Sequence, residues 1–133
     1  MELYKILQLR INVFVVEQNC AYDDCDGKDI DGYHLWCEMN NQIIAYCRIL
    51  PPTISYAEPS IGRVISHENF RHQHFGTRLM KFAAQISENL FGISSIRISA
   101  QCYLKDFYEK LGYSIVSDEY LEDDIPHVEM LKN

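Results

Sequence analysis

The sequence predicts an α/β fold built on a mixed sheet with helices on both faces. Three observations carry this. A strand, a long amphipathic helix and a further strand follow one another, which requires a parallel strand pair. A hairpin signal early in the chain, and closely spaced strands late in it, require antiparallel pairs. The 133 residues allow one domain, 1–133, because a second would be too small to bury a core.

Residues 2–17 read as an amphipathic helix with Leu3, Leu7, Ile11 and Phe14 on one face and Ile6 and Val13 beside it. A polar, acidic loop follows over 18–32, holding Asp23, Asp24, Asp26, Asp29 and Asp31 with Gly27 and Gly32. Tyr33–Met39 and Gln42–Leu50 read as strands joined by an Asn40-Asn41 turn. In the second of them Ile43, Ala45, Cys47 and Ile49 are expected on one face, and Pro51-Pro52 ends it. Residues 61–66 form a further strand. Residues 74–90 are the clearest helix, with Phe75, Leu79, Phe82, Ile86 and Leu90 as an apolar stripe. A short strand over 95–100 precedes a short helix over 104–111, which Gly112 stops from the left-handed position past a helix end. Strands over 113–116 and 128–131 close the chain, separated by an acidic stretch over 118–124.

Composition narrows the partners. Twelve basic residues against nineteen acidic ones give a net charge of −7, which excludes nucleic acid as the main partner because phosphate chains need a basic face. With 47% apolar and 23% charged residues the chain is an ordinary globular mixture. No apolar run approaches the roughly 20 residues that cross a bilayer. Met1-Glu2-Leu3-Tyr4-Lys5 lacks the pattern of a secretory leader. The five cysteines are an odd number without a regular framework, so they read as free thiols in a cytoplasmic protein.

Two segments carry chemistry. In the first, a strand leads through a short connector into Arg71-His72-Gln73-His74-Phe75-Gly76-Thr77, which opens the long helix. Amide N–H groups at a helix start lack internal partners and carry the positive end of the dipole, so they suit a phosphate or pyrophosphate. Gly76 permits close backbone approach, Arg71 supplies charge and Thr77 a hydroxyl. A plain connector with a solvated basic rim would use the same residues. A metal pair on His72 and His74 is disfavoured, because a helix start attracts anions. In the second segment Tyr108 lies on the short helix one turn before Gly112. If the strands before the two helices are parallel, their ends open on one sheet edge and Tyr108 meets whatever the first segment holds. Alternatively, Phe107, Tyr108 and Tyr113 are core aromatics.

Together these segments resemble the GNAT superfamily of acetyl-CoA-dependent N-acetyltransferases. Its first signature stands here as Arg71-His72-Gln73-His74-Phe75-Gly76, and its second as Tyr108-Glu109-Lys110-Leu111-Gly112-Tyr113. Leu9-Arg10, Val13–Gln18, the loop over 22–26, Ile61-Gly62-Arg63-Val64, Ala100-Gln101 and Ile125-Pro126-His127 are similar to the ElaA-type subgroup. The resemblance runs from about residue 3 to residue 130. Two departures stand out: His74 replaces the first glycine of the phosphate loop, and the chain opens on the first helix where the family has a strand. That strand is therefore expected to be missing, leaving the sheet edge bare, shortened or completed by a partner chain as a homodimer.

The resemblance implies a mostly antiparallel twisted sheet with one splayed parallel strand pair, here 61–66 and 95–100, gripping acetyl-CoA. It implies that the backbone of Val64, Ile65 and Ser66 holds the pantetheine arm. Amides from His72 to Thr77, with Arg71, would hold the pyrophosphate. The activity implied is direct acetyl transfer to a primary amine, without a metal. An amine of pKa about 10.4 must lose a proton, and the leaving thiolate, of pKa about 8.5, must gain one. Tyr108 is the implied acid. Glu17, Glu119 and His127 are candidates for the base, and Arg63, Gln101 and Gln18 for the acceptor side.

Two rival readings fit the same residues. One is a non-catalytic acyl-CoA-binding or regulatory module on the same fold. The other is a metal site on Cys20, Cys25, His34 and Cys37, whose irregular spacing disfavours it. Charge adds an expectation about the acceptor, a small molecule or peptide. Residues 63–81 carry four bases against one acid, while 17–31 hold six acids and 118–124 five. Those two acidic segments would steer a cationic acceptor.

Overall fold

The structure is a computed structural model describing residues 1–18 and 24–133, without the side chains of residues 72 and 73. Helix α1, Glu2–Arg10, continues as a wider π-helical segment over Ile11–Glu17, where the Gln18 N–H reaches back to the Val13 carbonyl at 3.2 Å. The strands are β1 (Tyr33–Met39), β2 (Gln42–Leu50), β3 (Ser60–Ser66), β4 (Ile96–Gln101), β5 (Ser114–Ile115), β6 (Tyr120–Glu122) and β7 (Ile125–Lys132). Helix α2, Phe75–Phe91, lies between β3 and β4, and the short α3, Lys105–Lys110, follows β4. No helix among the described residues is long and apolar enough to cross a membrane.

The strands form two antiparallel sheets, β1-β2-β3 and β4-β7-β5, with β6 on β7. Between them β3 and β4 are the expected splayed pair. The Arg97 N–H donates to the Pro59 carbonyl at 3.0 Å, joining the two at their starts, and no ladder continues beyond. Helices α2 and α3 cover one face, packing Leu79, Met80, Ala83 and Tyr108 on Ala45, Cys47, Ile49, Ile98 and Met130. Helix α1 covers the other, packing Ile6 and Leu9 on Ile43, Tyr46 and Ile65.

Several expectations are corrected. The buried side of α1 is Ile6, Leu9 and Arg10, with Val13 and Phe14 beyond it partly buried on the same cluster, whereas Leu3 and Ile11 are exposed. Ile43 does not share a face with Ala45, Cys47 and Ile49. Cys37 pairs with Ala45 but Glu38 pairs with Ile43, so a bulge at Ile44 reverses the alternation and turns Ile43 toward α1. The acidic stretch contains a strand, β6, paired with the start of β7. Both turn residues of the β1–β2 hairpin, Asn40 and Asn41, have positive φ, as do Asp123 and Asp124 between β6 and β7. Both pairs fit the tight turns that match strand twist.

The buried Arg10 explains the acidic loop. Its guanidinium pairs with Asp24 at 2.9 Å and Asp29 at 2.7 Å. Arg48 of β2 pairs with Asp26 at 2.8 Å and Asp29 at 3.0 Å, and Arg63 of β3 with Asp24 at 3.1 Å and Asp26 at 3.2 Å. Three arginines from three elements thus clamp three loop aspartates. This corrects the steering idea for residues 17–31, since Asp24, Asp26 and Asp29 are neutralised within the fold.

Burial alone would raise the Asp26 carboxyl. Hydrogen bonds from Arg48 and the Lys28 N–H, with the charges of Arg48 and Arg63, outweigh burial and hold it well below the usual carboxylate range. Asp29 is also raised by burial but lowered overall by Arg10 and Arg48. A carboxylate held low stabilises the fold above its unfolded pKa of about 3.9, and the gain is lost as pH falls toward the folded value. Thermal stability should therefore be level above about pH 5 and fall below about pH 4. Asp26→Asn should flatten that fall in a melting series. A profile identical to that of the unaltered protein would remove Asp26 from the clamp.

Candidate active site

The gap between β3 and β4 is made by a bulge. Gly62 pairs with Arg48 and Ile65 with Tyr46, so three steps on β3 face two on β2. Arg63 absorbs the extra residue at φ 52°, in the left-handed region that non-glycine residues seldom occupy. Bulges bend a strand and end its pairing on one side. Here β3 turns from β4 and a cleft of about 550 Å³ opens between them.

The cleft brings together Glu17 and Gln18 from the end of the first helix, Arg63, Val64, Ile65 and Ser66 from β3, and Arg71, His74, Gly76 and Thr77 from the connector and α2. Gln101 of β4, Tyr108 of α3 and His127 of β7 complete it. The side chains of His72 and Gln73, and the whole of Cys20 and Tyr22, lie outside the described residues. Two expected members are elsewhere. Phe75 packs against the main core. Glu119 lies beside Cys102, whose thiol is pushed up by burial and by this carboxylate. Strand alternation gives the reason: Tyr120 and Glu122 share one side of β6, and the residue before Tyr120 points the other way.

At the start of α2, His74 takes φ 60° and makes no side-chain cap. The first amides of the helix therefore keep their donors for another partner. A glycine suits this backbone better, which explains why a histidine is unusual there. At Gly76 an added Cβ would meet only Phe107 Cζ, at 3.8 Å. Nothing in the fold itself demands glycine at that position, and its absent side chain leaves room against the amides.

Arg71 is tied on two sides. Its Nε donates to the Ser66 carbonyl at 2.8 Å, and its Nη2 pairs with Glu17 at 2.9 Å. The expected phosphate ligand and one expected base thus hold each other at the cleft. Arg63, expected on the acceptor side, lines the cleft and pairs its guanidinium with Asp24 and Asp26. Gln101 Nε2 donates to Gln18 Oε1 at 3.5 Å, linking β4 to the first helix.

Tyr108 is 7% exposed, with ring edges against Phe107 at 5.1 Å and Tyr113 at 5.8 Å. Burial pushes its phenol well above the ordinary value, with smaller contributions from Cys47 and Tyr103. It is both a core aromatic and a member of the cleft wall.

His127 lies opposite Gln101 on β4 and Tyr120 on β6. Its Nδ1 is 2.6 Å from the Ile125 carbonyl. A carbonyl only accepts, so Nδ1 carries a hydrogen, and Nε2 stands 3.5 Å from Glu122 Oε2. Ser99 and Glu122, which sequence reasoning missed, also line this end of the cleft. The signal that could have found Glu122 is the Tyr120-Leu121-Glu122 alternation ahead of the Asp123-Asp124 turn.

This geometry has close counterparts. The sequence profile of the acetyltransferase (GNAT) domain matches residues 11–133. Protein ElaA of Escherichia coli strain K12 is 38% identical over 133 residues, covering 98% of this chain and 87% of that protein. The crystal structure of E. coli ElaA aligns with a TM-score of 0.90, covering 98% of this chain and 90% of that one. The structure of an acyl-CoA N-acyltransferase from Pseudomonas aeruginosa is 42% identical with a TM-score of 0.92, covering 99% of this chain and 90% of that one. An aminoglycoside 6′-N-acetyltransferase complexed with coenzyme A shares the fold, at 15% identity and a TM-score of 0.69, covering 96% of this chain and 89% of that one. The chain thus belongs to the GNAT acetyltransferase family and is similar over nearly its whole length to ElaA.

Proposed function

We propose that the protein transfers an acetyl group from acetyl-CoA to a primary amine by direct attack in a ternary complex. The observation that carries this reading is the convergence, in one cleft, of an uncapped helix start at Gly76, the open edge of β3, a buried phenol at Tyr108 and the imidazole of His127. The residues present fit the cosubstrate. The α2 amides and the open space at Gly76 suit a pyrophosphate. The edge of β3 over Val64, Ile65 and Ser66, which has no ladder to β4, suits the amide-bearing pantetheine arm. Acetyl-CoA supplies an activated thioester when bound.

The remaining work falls to the chain. Backbone donors on the β3 edge are placed where negative charge develops on the acyl oxygen. His127 Nε2 takes a proton from the amine nitrogen as that nitrogen bonds the acyl carbon. The carbon–sulfur bond breaks, and the Tyr108 hydroxyl donates to the leaving sulfur. Because burial raises that phenol, Tyr108 keeps its proton and acts as a hydrogen-bond donor to the charge building on sulfur, while the proton lost by the amine is carried by His127.

The experiment is incubation with acetyl-CoA and a broad panel of primary amines, followed by mass analysis of each amine. An acetyl amide formed in step with free thiol is expected. Coenzyme A binding without thiol release from any amine would instead indicate a non-catalytic binding module.

The Glu17–Arg71 pair gives a separate prediction. Both side chains are more than a third exposed, so the pair is weak. It nevertheless competes with a pyrophosphate for the guanidinium. Glu17→Gln should tighten coenzyme A binding by about two- to fivefold in calorimetry. Weaker binding in that variant would mean that Glu17 itself supports the cosubstrate.

A further inference from the structure

We infer that Arg63 is a positioning residue for acyl transfer and that Asp24 and Asp26 act through it: their ion pairs to its guanidinium hold the β3 bulge and so aim the backbone of Val64, Ile65 and Ser66 at the acyl group. The inference deepens the acetyl-transfer reading above and rests on it.

The bulge strains a residue poorly suited to it. Arg63 takes φ 52°, a conformation that glycine adopts readily and other residues do not. Gly62, next to it, lies outside the left-handed region, and a Cβ there would meet no atom within 4 Å. Neither space nor backbone thus demands glycine at 62, while the strained position carries a long cationic side chain. Such strain persists only where the surroundings hold it in place.

Two aspartates hold it. Arg63 Nε lies 3.1 Å from Asp24 Oδ1, and its Nη2 lies 3.2 Å from Asp26 Oδ2 and donates to the Asp24 carbonyl at 3.3 Å. Each aspartate is fixed in turn. Arg10, fully buried on α1, grips Asp24 by its carboxylate and by its carbonyl, both at 2.9 Å. Arg48 of β2 donates to Asp26 from both terminal nitrogens, at 2.8 and 3.0 Å. Arg48 stands opposite Gly62 in the β2–β3 register. The Asp26 carboxylate therefore bridges the two strands at the step where the extra residue enters. A planar guanidinium held at several nitrogens keeps a defined geometry that a flexible ammonium does not.

Neither aspartate lines the cleft, whereas Arg63 and the three residues after it do. The clamp thus reaches the acyl group through the β3 backbone. Donors to a developing oxyanion work over a narrow range of distance and angle, and a displacement of about 1 Å costs about 10²-fold in rate. The α2 amides, proposed above for the pyrophosphate, lie on a separate element, so the clamp should govern turnover more than coenzyme A binding.

The test uses the full chain with acetyl-CoA and a primary amine that it acetylates. Arg63→Gly lets the bulge form without strain but releases the clamp. It should melt near the parent temperature and bind coenzyme A as the parent does in calorimetry. Its kcat for thiol release should fall at least about tenfold, with little change in KM for the amine. Arg63→Lys, which keeps the charge, should recover part of the loss. Asp26→Asn, outside the cleft, should lower kcat in the same direction. The double variant should be no slower than Arg63→Gly alone, because both changes break one linkage. Full kcat in Arg63→Gly would overturn the inference, since the bend alone would then suffice. So would losses that multiply in the double variant, or a raised KM for the amine at unchanged kcat, which would set Arg63 against the acceptor. Melting curves identify an unfolded Arg63→Gly, in which case kcat of Asp26→Asn decides. Absence of thiol release from the parent with every amine would overturn acetyl transfer itself. The amide shifts of Val64, Ile65 and Ser66 on adding acetyl-CoA, read by NMR, then decide the clamp: smaller shifts in Arg63→Gly support it and equal shifts overturn it.

Discussion

Gly76→Glu should reduce coenzyme A binding below calorimetric detection. Two effects add. The position is the second residue of α2, where amide N–H groups lack helical partners and no side chain caps them. A carboxylate there would satisfy those donors from within the chain and occupy the place of the pyrophosphate. It would also set a negative charge against a ligand of the same sign, in a cleft where solvent screens it less than at an open surface. The fold should tolerate the change, because a Cβ at this position meets only Phe107, at 3.8 Å. A carboxylate in the first turn of a helix is favourable to the helix itself. The variant should therefore melt near the parent temperature while losing its ligand. A folded Gly76→Glu protein that binds coenzyme A normally would place the cosubstrate elsewhere.

Tyr108→Phe should lower turnover by about 10²-fold, within the range for losing a positioned proton donor, and leave coenzyme A affinity nearly unchanged. The ring is held between Phe107 and Tyr113, so phenylalanine preserves the packing that a smaller residue would lose. Only the hydroxyl goes. Because its interaction is called on as sulfur departs, its loss should appear in kcat with little change in KM for the amine. Stopped-flow thiol release and calorimetry on the same preparation separate the two quantities. Turnover equal to that of the parent, measured with an amine the protein acetylates well, would remove Tyr108 as the donor to sulfur.

The parts of the fold that were legible in the sequence are those where a local rule and the tertiary structure agree. Asn40-Asn41 reads as a hairpin turn, and both residues adopt the positive φ such a turn requires. Gly112 reads as a helix stop and sits at φ 96°. The stripe of α2 holds in part: Leu79 is buried and Phe75 and Ile86 pack against the core, but Phe82 and Leu90 are exposed, and Met80 and Ala83 take the buried side instead. Where tertiary structure overrides local pattern, the reading slipped. In α1 two apolar stripes compete. The winning side also carries Arg10, a charge that periodicity counts against burial but that Asp24 and Asp29 neutralise. In β2 a bulge at Ile44 reverses the alternation, which spacing cannot reveal.

The site divides in the same way. The end proposed for the pyrophosphate lies in one continuous segment, from Arg71 to Thr77, and was legible as a strand–helix connector with a glycine. The opposite end of the cleft is assembled from β4, β6 and β7, three strands that meet only through pairing. Glu122 was hidden because five acids over 118–124 read as one acidic stretch between strands, although β6 runs through them. Glu119, three residues earlier, seemed equivalent in sequence and faces Cys102 instead. The pairing of Glu17 with Arg71 was likewise out of reach, since it joins residues 54 positions apart.

The central claim is that this cleft catalyses acyl transfer to nitrogen. It is tested most directly by quantifying free coenzyme A thiol and acetylated amine together, in one reaction of the protein with acetyl-CoA and a cationic primary amine. The account predicts equal amounts of the two products, rising with enzyme concentration, and a rate about 10²-fold lower in Tyr108→Phe. Tight coenzyme A binding with no thiol release above the enzyme-free rate, across the whole amine panel, would contradict it.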